Sequence, residues 1–381
     1  MKLLFLTRSE NFPTYKQDGG ALVTLRNFEM IKQICGNDNV IVDVIYNKES
    51  GESTEVNYYK AYTNIVSRYI SYMCLRVFPK KTEKQIIKHI IELNPDIIFF
   101  DGSIYGQIIK NKFVRKKKTV IFFHNVERQY TWDQVKNYSL LCLPRYFAAR
   151  HCEKKMIIYG RKLICLNNRD RELISQYYGK DTDLMLPVTF RDTYHNNNIS
   201  EQKSQGGEFV LLYIGSYFVH NYKGLLWFLN NVMPFVNAKL VVVGKNMEKI
   251  REKVGVSENI VVAGTVEELG KYYTAADAMV MPIFMGGGMK VKTAEALMYG
   301  KTIFASKEAL EGYEVAHVSN ITECNSAEEF ISGISKCIAS GINQKFNPNV
   351  RQVFLENYCT EKYMPKLGQL INECLLGGDN N

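Results

Sequence analysis

Short apolar runs of strand length alternate with segments of helical periodicity along almost the whole chain. KLLFLT (2–7), VIVDVIY (40–46), DIIFFD (96–101), TVIFFH (119–124) and KLICLN (162–167) are such runs. Between them, Leu22 to Ile34 and Lys81 to Leu93 repeat apolar residues every three or four positions. Apolar runs with no polar alternation suit strands covered on both faces, so the pattern predicts an α/β fold with a parallel sheet between layers of helices. From Thr189 to Glu208 the sequence TFRDTYHNNNISEQKSQGGE is polar and aperiodic and reads as a linker. The alternation then restarts with FVLLYIG (209–215), AKLVVVG (238–244), NIVVAG (259–264), AMVMP (278–282) and KTIFAS (301–306). Two doubly wound domains are expected, 1–188 and 209–358. The tail 359–381 carries a helical segment, CTEKYMPKLGQLINECLL, that is expected to cross back to the first domain. Ligands in such sheets bind beyond the carboxyl ends of the strands, which makes the cleft between the domains the expected site.

One segment departs from the alternation. Tyr58 to Lys88 holds seven Lys and Arg and five Tyr, with Ile65, Tyr69, Tyr72, Met73, Arg76 and Val77 at helical spacing. It predicts either a basic amphipathic helix lying on an anionic membrane surface or an ordinary domain helix with a solvated basic face.

Composition narrows the class. The chain has 381 residues, 46 % hydrophobic and 23 % charged, which suits a globular protein of two domains and excludes a disordered or fibrous one. No run approaches the roughly 18 apolar residues of a membrane span. The opening MKLLFLTRSENF reads as a first strand and not as a signal peptide. Nine scattered cysteines (35, 74, 142, 152, 165, 324, 337, 359, 374), never spaced CxxC, predict reduced, buried thiols and a cytoplasmic protein. The net charge of +9 favours anionic partners without choosing among them. Nucleic acid would need aromatic stacking or a reading helix beside the basic runs KNKFVRKKK (110–118) and RHCEKK (150–155); both read as solvated loop or helix faces before strands, so no nucleic acid is expected.

The stretch PIFMGGGMKVKTAEALMYGKTIFAS, Pro282 to Ser306, concentrates the chemistry. A strand ends, Gly286, Gly287 and Gly288 expose backbone N–H groups, Met289 follows, and a helix begins. That arrangement is an anion site, to which Lys290 and Lys292 add charges suited to phosphate. Glu295, one turn beyond Lys292, is placed to accept hydrogen bonds from ribose hydroxyls. A nucleoside diphosphate satisfies all three features. A tight strand–helix turn with a solvated basic edge is the bland alternative. Neither GxGxxG after the first strand nor GxxxxGK[ST] occurs.

This stretch resembles the donor-binding signature of GT-B glycosyltransferases of family 4 (glycosyl transferases group 1), of the type with a GGG loop. LLYIGSYFVHNYKGLLWFLNNVMPFV (211–236), VVVG, VVAGTVEELGKYYTAADAMVMP, EALEGYE, FFHNVERQYTW and NNRDRELISQYYG follow in the order expected of that family. The resemblance implies two Rossmann-like domains. It also implies sugar transfer with retention from a nucleotide-sugar, UDP- or GDP-sugar, to a glycan or lipid-linked acceptor. The setting it implies is assembly of bacterial surface polysaccharide, capsule or lipopolysaccharide.

By the same resemblance Lys223 is the phosphate lysine of the loop after the first strand of the second domain, and Glu295 is the ribose carboxylate. Val266 and Glu267 lie where similar proteins contact the base. The family's usual first glutamate is replaced by Gly287 and its arginine by Ser216. In the first domain Gly19 and Gly20 stand between strand and helix, where bare backbone suits a phosphate or acceptor. His124 ends a strand and matches the family histidine that hydrogen-bonds the transferred sugar. Glu127 is placed either to orient His124 or to bind acceptor. No His, Asp or Glu cluster has metal-site spacing, so no metal and no cofactor are expected. Two rivals share the fold: a nucleotide-sugar epimerase, and a non-catalytic subunit that binds glycan or a partner transferase.

Overall fold

The computed structural model describes residues 1–8, 12, 19–46, 56–194, 208–254, 258–341 and 345–377. The chain divides into two compact units, Met1–Pro187 with Tyr363–Asn381, and Val188–Lys362.

The first unit opens with β1 (Leu3–Thr7), α1 (Gly19–Cys35), β2 (Val40–Tyr46) and β3 (Val56–Lys60). Next come α2 (Ile65–Met73), α3 (Lys80–Leu93), β4 (Ile97–Asp101), α4 (Gly106–Ile109) and β5 (Lys118–Phe122). It continues through α5 (Glu127–Asn137), α6 (Leu143–Tyr159), β6 (Lys162–Cys165), α7 (Asn168–Tyr178) and β7 (Leu184–Met185). All its strand pairs are parallel, in the order β3-β2-β1-β4-β5-β6-β7. Every residue of β1 and β4 is buried, as continuous apolar runs require when helices cover both faces. Phe5 stacks on Phe99 at 5.4 Å on one face, while Leu4, Leu6, Ile98 and Phe100 join the core on the other.

The second unit repeats the plan. Its first half is β8 (Val210–Ile214), α8 (Val219–Asn231), β9 (Lys239–Val243), α9 (Arg251–Val254), β10 (Ile260–Gly264) and α10 (Gly270–Ala275). The second half is β11 (Ala278–Met281), α11 (Val291–Met298), β12 (Thr302–Ala305), α12 (Lys307–Leu310), β13 (Ile321–Glu323), α13 (Ala327–Ala339) and α14 (Pro348–Asn357). The order is β10-β9-β8-β11-β12-β13, again parallel.

The last helix, α15 (Met364–Leu376), belongs to the first unit. Leu367, Ile371 and Cys374 are buried there, and Lys162 pairs with both Asp183 and Glu373 at its edge. The start of the polar stretch read as linker is packed in the second unit. Phe190 bridges Cys359, the Thr189 and Thr360 hydroxyls are 3.1 Å apart, and Arg351 pairs with Asp192. Residues 195–207 of that stretch lie outside the described residues.

Three readings are corrected. Tyr58 to Lys88 is not one amphipathic helix. Its start is strand β3, and two helices follow with a turn at Cys74–Pro79. Val56, Asn57, Tyr58, Tyr59 and Lys60 form the edge of the sheet, and their pairing with β2 outweighs the helical spacing. Lys223 is not in the loop after β8: the helix begins at Val219, and Lys223 lies within it. The thiols are all free, but Cys74 is exposed and Cys142, Cys337 and Cys359 are half-buried. No described helix is long and apolar enough to cross a membrane.

The packing of α15 yields one prediction. Replacing Ile371, fully buried, with Ala is expected to cost about 2–4 kcal/mol of stability. Urea unfolding of the variant checks this. A change below about 0.5 kcal/mol would mean that α15 does not belong to the fold of the first unit.

Candidate active site

Each sheet has a point where the strand order reverses, and side chains gather beyond the strand ends there. In the second sheet the reversal lies between β8 and β11. The chain leaves β8 through Gly215–Phe218 into α8, and leaves β11 through Pro282–Lys290 into α11. One residue locks these connections together. A β-carbon on Gly224 would lie 1.9 Å from the Pro282 carbonyl oxygen, so only glycine lets the second turn of α8 rest on the end of β11.

Neither α8 nor α11 has a side-chain N-cap, which leaves backbone N–H groups at both helix starts for another acceptor. Lys292 Nζ reaches Asn221 Oδ1 at 3.2 Å and lies over the Tyr213 ring at 5.3 Å. Asn221 is itself held, donating to the Ser216 carbonyl at 3.1 Å. Burial, with the Lys290 charge adding to it, depresses the Lys292 ammonium to about 7. Lys290 turns onto its own loop, donating to the Gly288 carbonyl and pairing with Glu308, each at 2.8 Å. His220 is held down first by burial, then by the charges of Lys290 and Lys223, which places these groups in one neighbourhood with Glu308. Lys223 is exposed on α8.

The glycine loop behaves unevenly. Gly288 takes φ +62°, the left-handed region that a side chain resists, and Met289 after it is buried. Gly287, standing where a family glutamate is usual, is half-buried, and its carbonyl lies 3.5 Å from Lys290 Nζ. Glu295 lies one turn along α11 and accepts from the Tyr273 hydroxyl at 3.2 Å. Burial raises its carboxyl to about 7, against the pull of that hydroxyl and of Lys292. Tyr273 stacks on Tyr299 at 4.7 Å. It sits on α10, directly after the segment of Val266, half-buried, and Glu267, exposed.

The first sheet reverses between β1 and β4, and Asp101 ends β4 there. Its carboxylate is buried and receives Thr7 and Thr24 hydroxyls at 2.8 and 2.6 Å, the Asn27 amide at 2.9 Å, and His124 Nε2 at 3.1 Å. Burial alone would raise the Asp101 carboxyl, but His124 and these donors hold it below its ordinary value. Held through Nε2, the His124 ring presents its other nitrogen away from Asp101. The residue that orients His124 is therefore Asp101.

Glu127 opens α5, and burial raises its carboxyl against the charges of Arg145, Arg8 and His124. Buried Glu153 caps that helix. It accepts from the backbone N–H groups of Glu127 and Arg128, from Tyr178 at 2.6 Å and from Ser103 at 3.1 Å. Gly19 and Gly20 are not in a loop; they are the first, exposed residues of α1. Among the described residues no three His, Cys, Asp or Glu side chains gather as metal ligands would.

Asp101, Glu153 and Glu308 were not among the site residues read from the sequence. Asp101 and Glu153 carried no local signal, because their partners are distant in the chain. Glu308 had one, in the EALEGYE motif that follows β12.

The comparisons agree with this geometry. Residues 208–340 match the family described as Glycosyl transferases group 1. A Klebsiella pneumoniae protein described as an uncharacterized 44.6 kDa protein in the cps region is 22% identical over 388 residues, 93% of this chain and 96% of that one. Among solved structures, sucrose-phosphate synthase from Thermosynechococcus elongatus has a TM-score of 0.75 at 13% identity, covering 99% of this chain and 100% of its own. HepE from Anabaena, solved with UDP and glucose, has a TM-score of 0.69 at 15% identity over 98% and 99% of the two chains. WaaG, a glycosyltransferase involved in lipopolysaccharide biosynthesis, has 0.69 at 16% over 99% and 100%. The fold is GT-B, two Rossmann-like units, and the resemblance read from the sequence holds.

Replacing Asp101 with Ala strips an acceptor from three buried donors, Thr7, Thr24 and Asn27. At about 1–3 kcal/mol each, the expected loss is at least about 3 kcal/mol. Chemical denaturation measures it, and a variant as stable as the parent would refute the network.

Proposed function

We propose that this protein is a retaining, metal-independent GT-B glycosyltransferase. It moves a sugar from a nucleoside-diphosphate sugar, UDP- or GDP-linked, to a glycan or lipid-linked acceptor on the cytoplasmic side of a bacterial membrane. The observation that carries the proposal is the convergence at the open end of the second sheet of Lys223, Lys290 and Lys292 with two uncapped helix starts and Glu295. The family match over 208–340 supports the transferase class. The Klebsiella relative in a cps region and the involvement of WaaG in lipopolysaccharide biosynthesis support surface-polysaccharide assembly.

In this reading the diphosphate lies against the N–H groups at the starts of α8 and α11. Lys292 and Lys223 offset its charge, and that charge grows as the sugar leaves. Glu295 takes the ribose hydroxyls, and the backbone near Val266 and Glu267 takes the base. His124, fixed by Asp101, hydrogen-bonds the transferred sugar, and Glu127, fixed at the start of α5 by the Glu153 cap, meets the acceptor. Retention rests on the family resemblance.

The first experiment is thermal unfolding with UDP, GDP, ADP, dTDP and CMP, for wild type and Glu295→Ala. One diphosphate is expected to raise the midpoint selectively, since ligand at a hundred times Kd adds about 2.7 kcal/mol. The shift should be lost in Glu295→Ala. A flat response to the whole panel would overturn the donor site and favour the non-catalytic subunit.

A second outcome follows from Lys292. Its free ammonium titrates near 7, and a bound diphosphate favours the charged form, so binding takes up a proton above that pH. Affinity is therefore full below about 7 and falls as pH rises, by at most about tenfold per unit. In a Glu295→Gln background, which removes the opposing titration of the carboxyl, calorimetry from neutral to alkaline pH should record this fall. Adding Lys292→Met should leave a weaker, flat profile. An unchanged slope in the double variant would exclude Lys292 from the diphosphate.

A further inference from the structure

Glu295 is held from behind by a series of aromatic rings. The last torsion of a glutamate is broad and roughly two-fold, so a carboxylate without a partner offers no fixed plane. Two neighbouring hydroxyls of a ribose need that plane fixed, since both must meet the same carboxylate. The Tyr273 hydroxyl donates to Glu295 Oε2 at 3.2 Å. An ionised carboxylate has about four lone-pair sites, so this bond sets the plane and leaves both oxygens able to accept more. Against the burial of that carboxyl the Tyr273 hydroxyl acts more strongly than Lys292.

Tyr273 is fully buried, and its own position is set by what surrounds it. Its ring stacks on Tyr299 at 4.7 Å, with the two planes 4° apart. Tyr299 closes α11 one turn past Glu295, and its backbone N–H donates to the Glu295 carbonyl at 3.0 Å. A β-carbon on Gly270, the first residue of α10, would lie 2.7 Å from the Tyr299 hydroxyl oxygen, so α10 approaches that side chain closely. Tyr299 meets the Tyr194 ring edge to face at 5.6 Å. Tyr194 stacks on Phe346 at 5.3 Å, and the Arg351 guanidinium lies over it at 4.9 Å. Arg351 returns to α11, donating to the Met298 carbonyl at 2.6 Å while it pairs with Asp192. The contacts therefore start and end on the helix that carries Glu295. Tyr194 also belongs to the segment by which the chain enters the second unit, which begins at Val188.

We propose that Tyr273 and Tyr299 are positioning residues that hold Glu295 in the plane two ribose hydroxyls require, and that Tyr194 extends this support to the segment joining the units. This rests on the reading of Glu295 as the ribose carboxylate, and it names the groups that make that carboxylate selective for ribose.

Calorimetry of the full chain with UDP, GDP and the 2′,3′-dideoxy form of each tests it. For the base that binds, wild type is expected to prefer the ribose form by at least about tenfold, and Glu295→Ala to lose that preference. Tyr273→Phe keeps the ring and lacks only the hydroxyl, and it should cut the preference to about threefold or less. Tyr299→Leu and Tyr194→Ala should each cut it at least about twofold, while Tyr194→Phe, which keeps the stack, should retain it. Thermal unfolding without nucleotide shows which variants are folded, and Tyr273→Phe carries the test where a ring deletion does not fold. A wild type that binds neither nucleotide would remove the donor site, and one that binds without preferring ribose would remove Glu295 from the ribose; either result takes this inference with it. Full preference in wild type that persists in folded Tyr273→Phe would overturn the positioning role alone. So would variants that weaken the ribose and dideoxy forms equally, since the rings would then only hold the unit together.

Discussion

The carbonyl of Pro282 occupies the space that a side chain on Gly224 would need, and the candidate site of the second unit depends on that contact. It presses α8 onto the end of β11, so the connection after β8 and the connection after β11 share one small volume. Two helix starts then add their partial positive charge at the same place, and Lys292 is drawn in beside Asn221. Burial first, and the Lys290 charge after it, depress the Lys292 ammonium there, while Glu295 pulls the other way.

The first unit solves the reverse problem. A carboxylate with no exposed surface, Asp101, is stable because four donors from β1, α1 and the end of β5 surround it. These donors come from elements far apart in the chain, so the buried charge also fixes how α1 sits over the sheet and how His124 is turned. Glu153 does the same for Glu127 by capping α5. In both cases a buried acid stands behind a half-buried residue: Asp101 holds the His124 ring, and Glu153 holds the backbone from which Glu127 projects.

This explains what the sequence made legible. The central strands are apolar on both faces, so their runs stood out within a residue or two of β1, β4, β8 and β11. Three of the four edge strands, β3, β7 and β13, are half-exposed or very short, and local pattern could not separate them from loops; the fourth, β10, kept an apolar run. The glycine loop and its lysines were readable because glycine marks close backbone approach wherever it occurs in a run. Asp101, at the end of an apolar run, and Glu153, inside the basic run RHCEKK, were not readable, because a buried acid has no meaning until its distant partners are known. Residues 58–88 misled because period counts apolar positions without saying which face is buried, and α2 buries the face with Ser71.

Glu308 makes sense of the loop's departure from the pattern it resembles. The resemblance expects a glutamate where Gly287 stands, and losing a carboxylate there would leave Lys290 without a counter-charge. Glu308, arriving from α12, supplies one: it meets Lys290 at 2.8 Å, while Lys290 also holds the Gly288 carbonyl. Glu308 stands in the EALEGYE segment at α12, and it keeps the local charge balance without an acid in the loop. Gly287 is thereby freed to present backbone where a side chain would stand. Lys290 acts first as a brace for that backbone, and the cations left to face an anion directly are Lys292, beside the start of α8, and Lys223 upon it. A loop without its glutamate is in this sense rebuilt and not decayed, which weighs against a subunit that has lost its donor site.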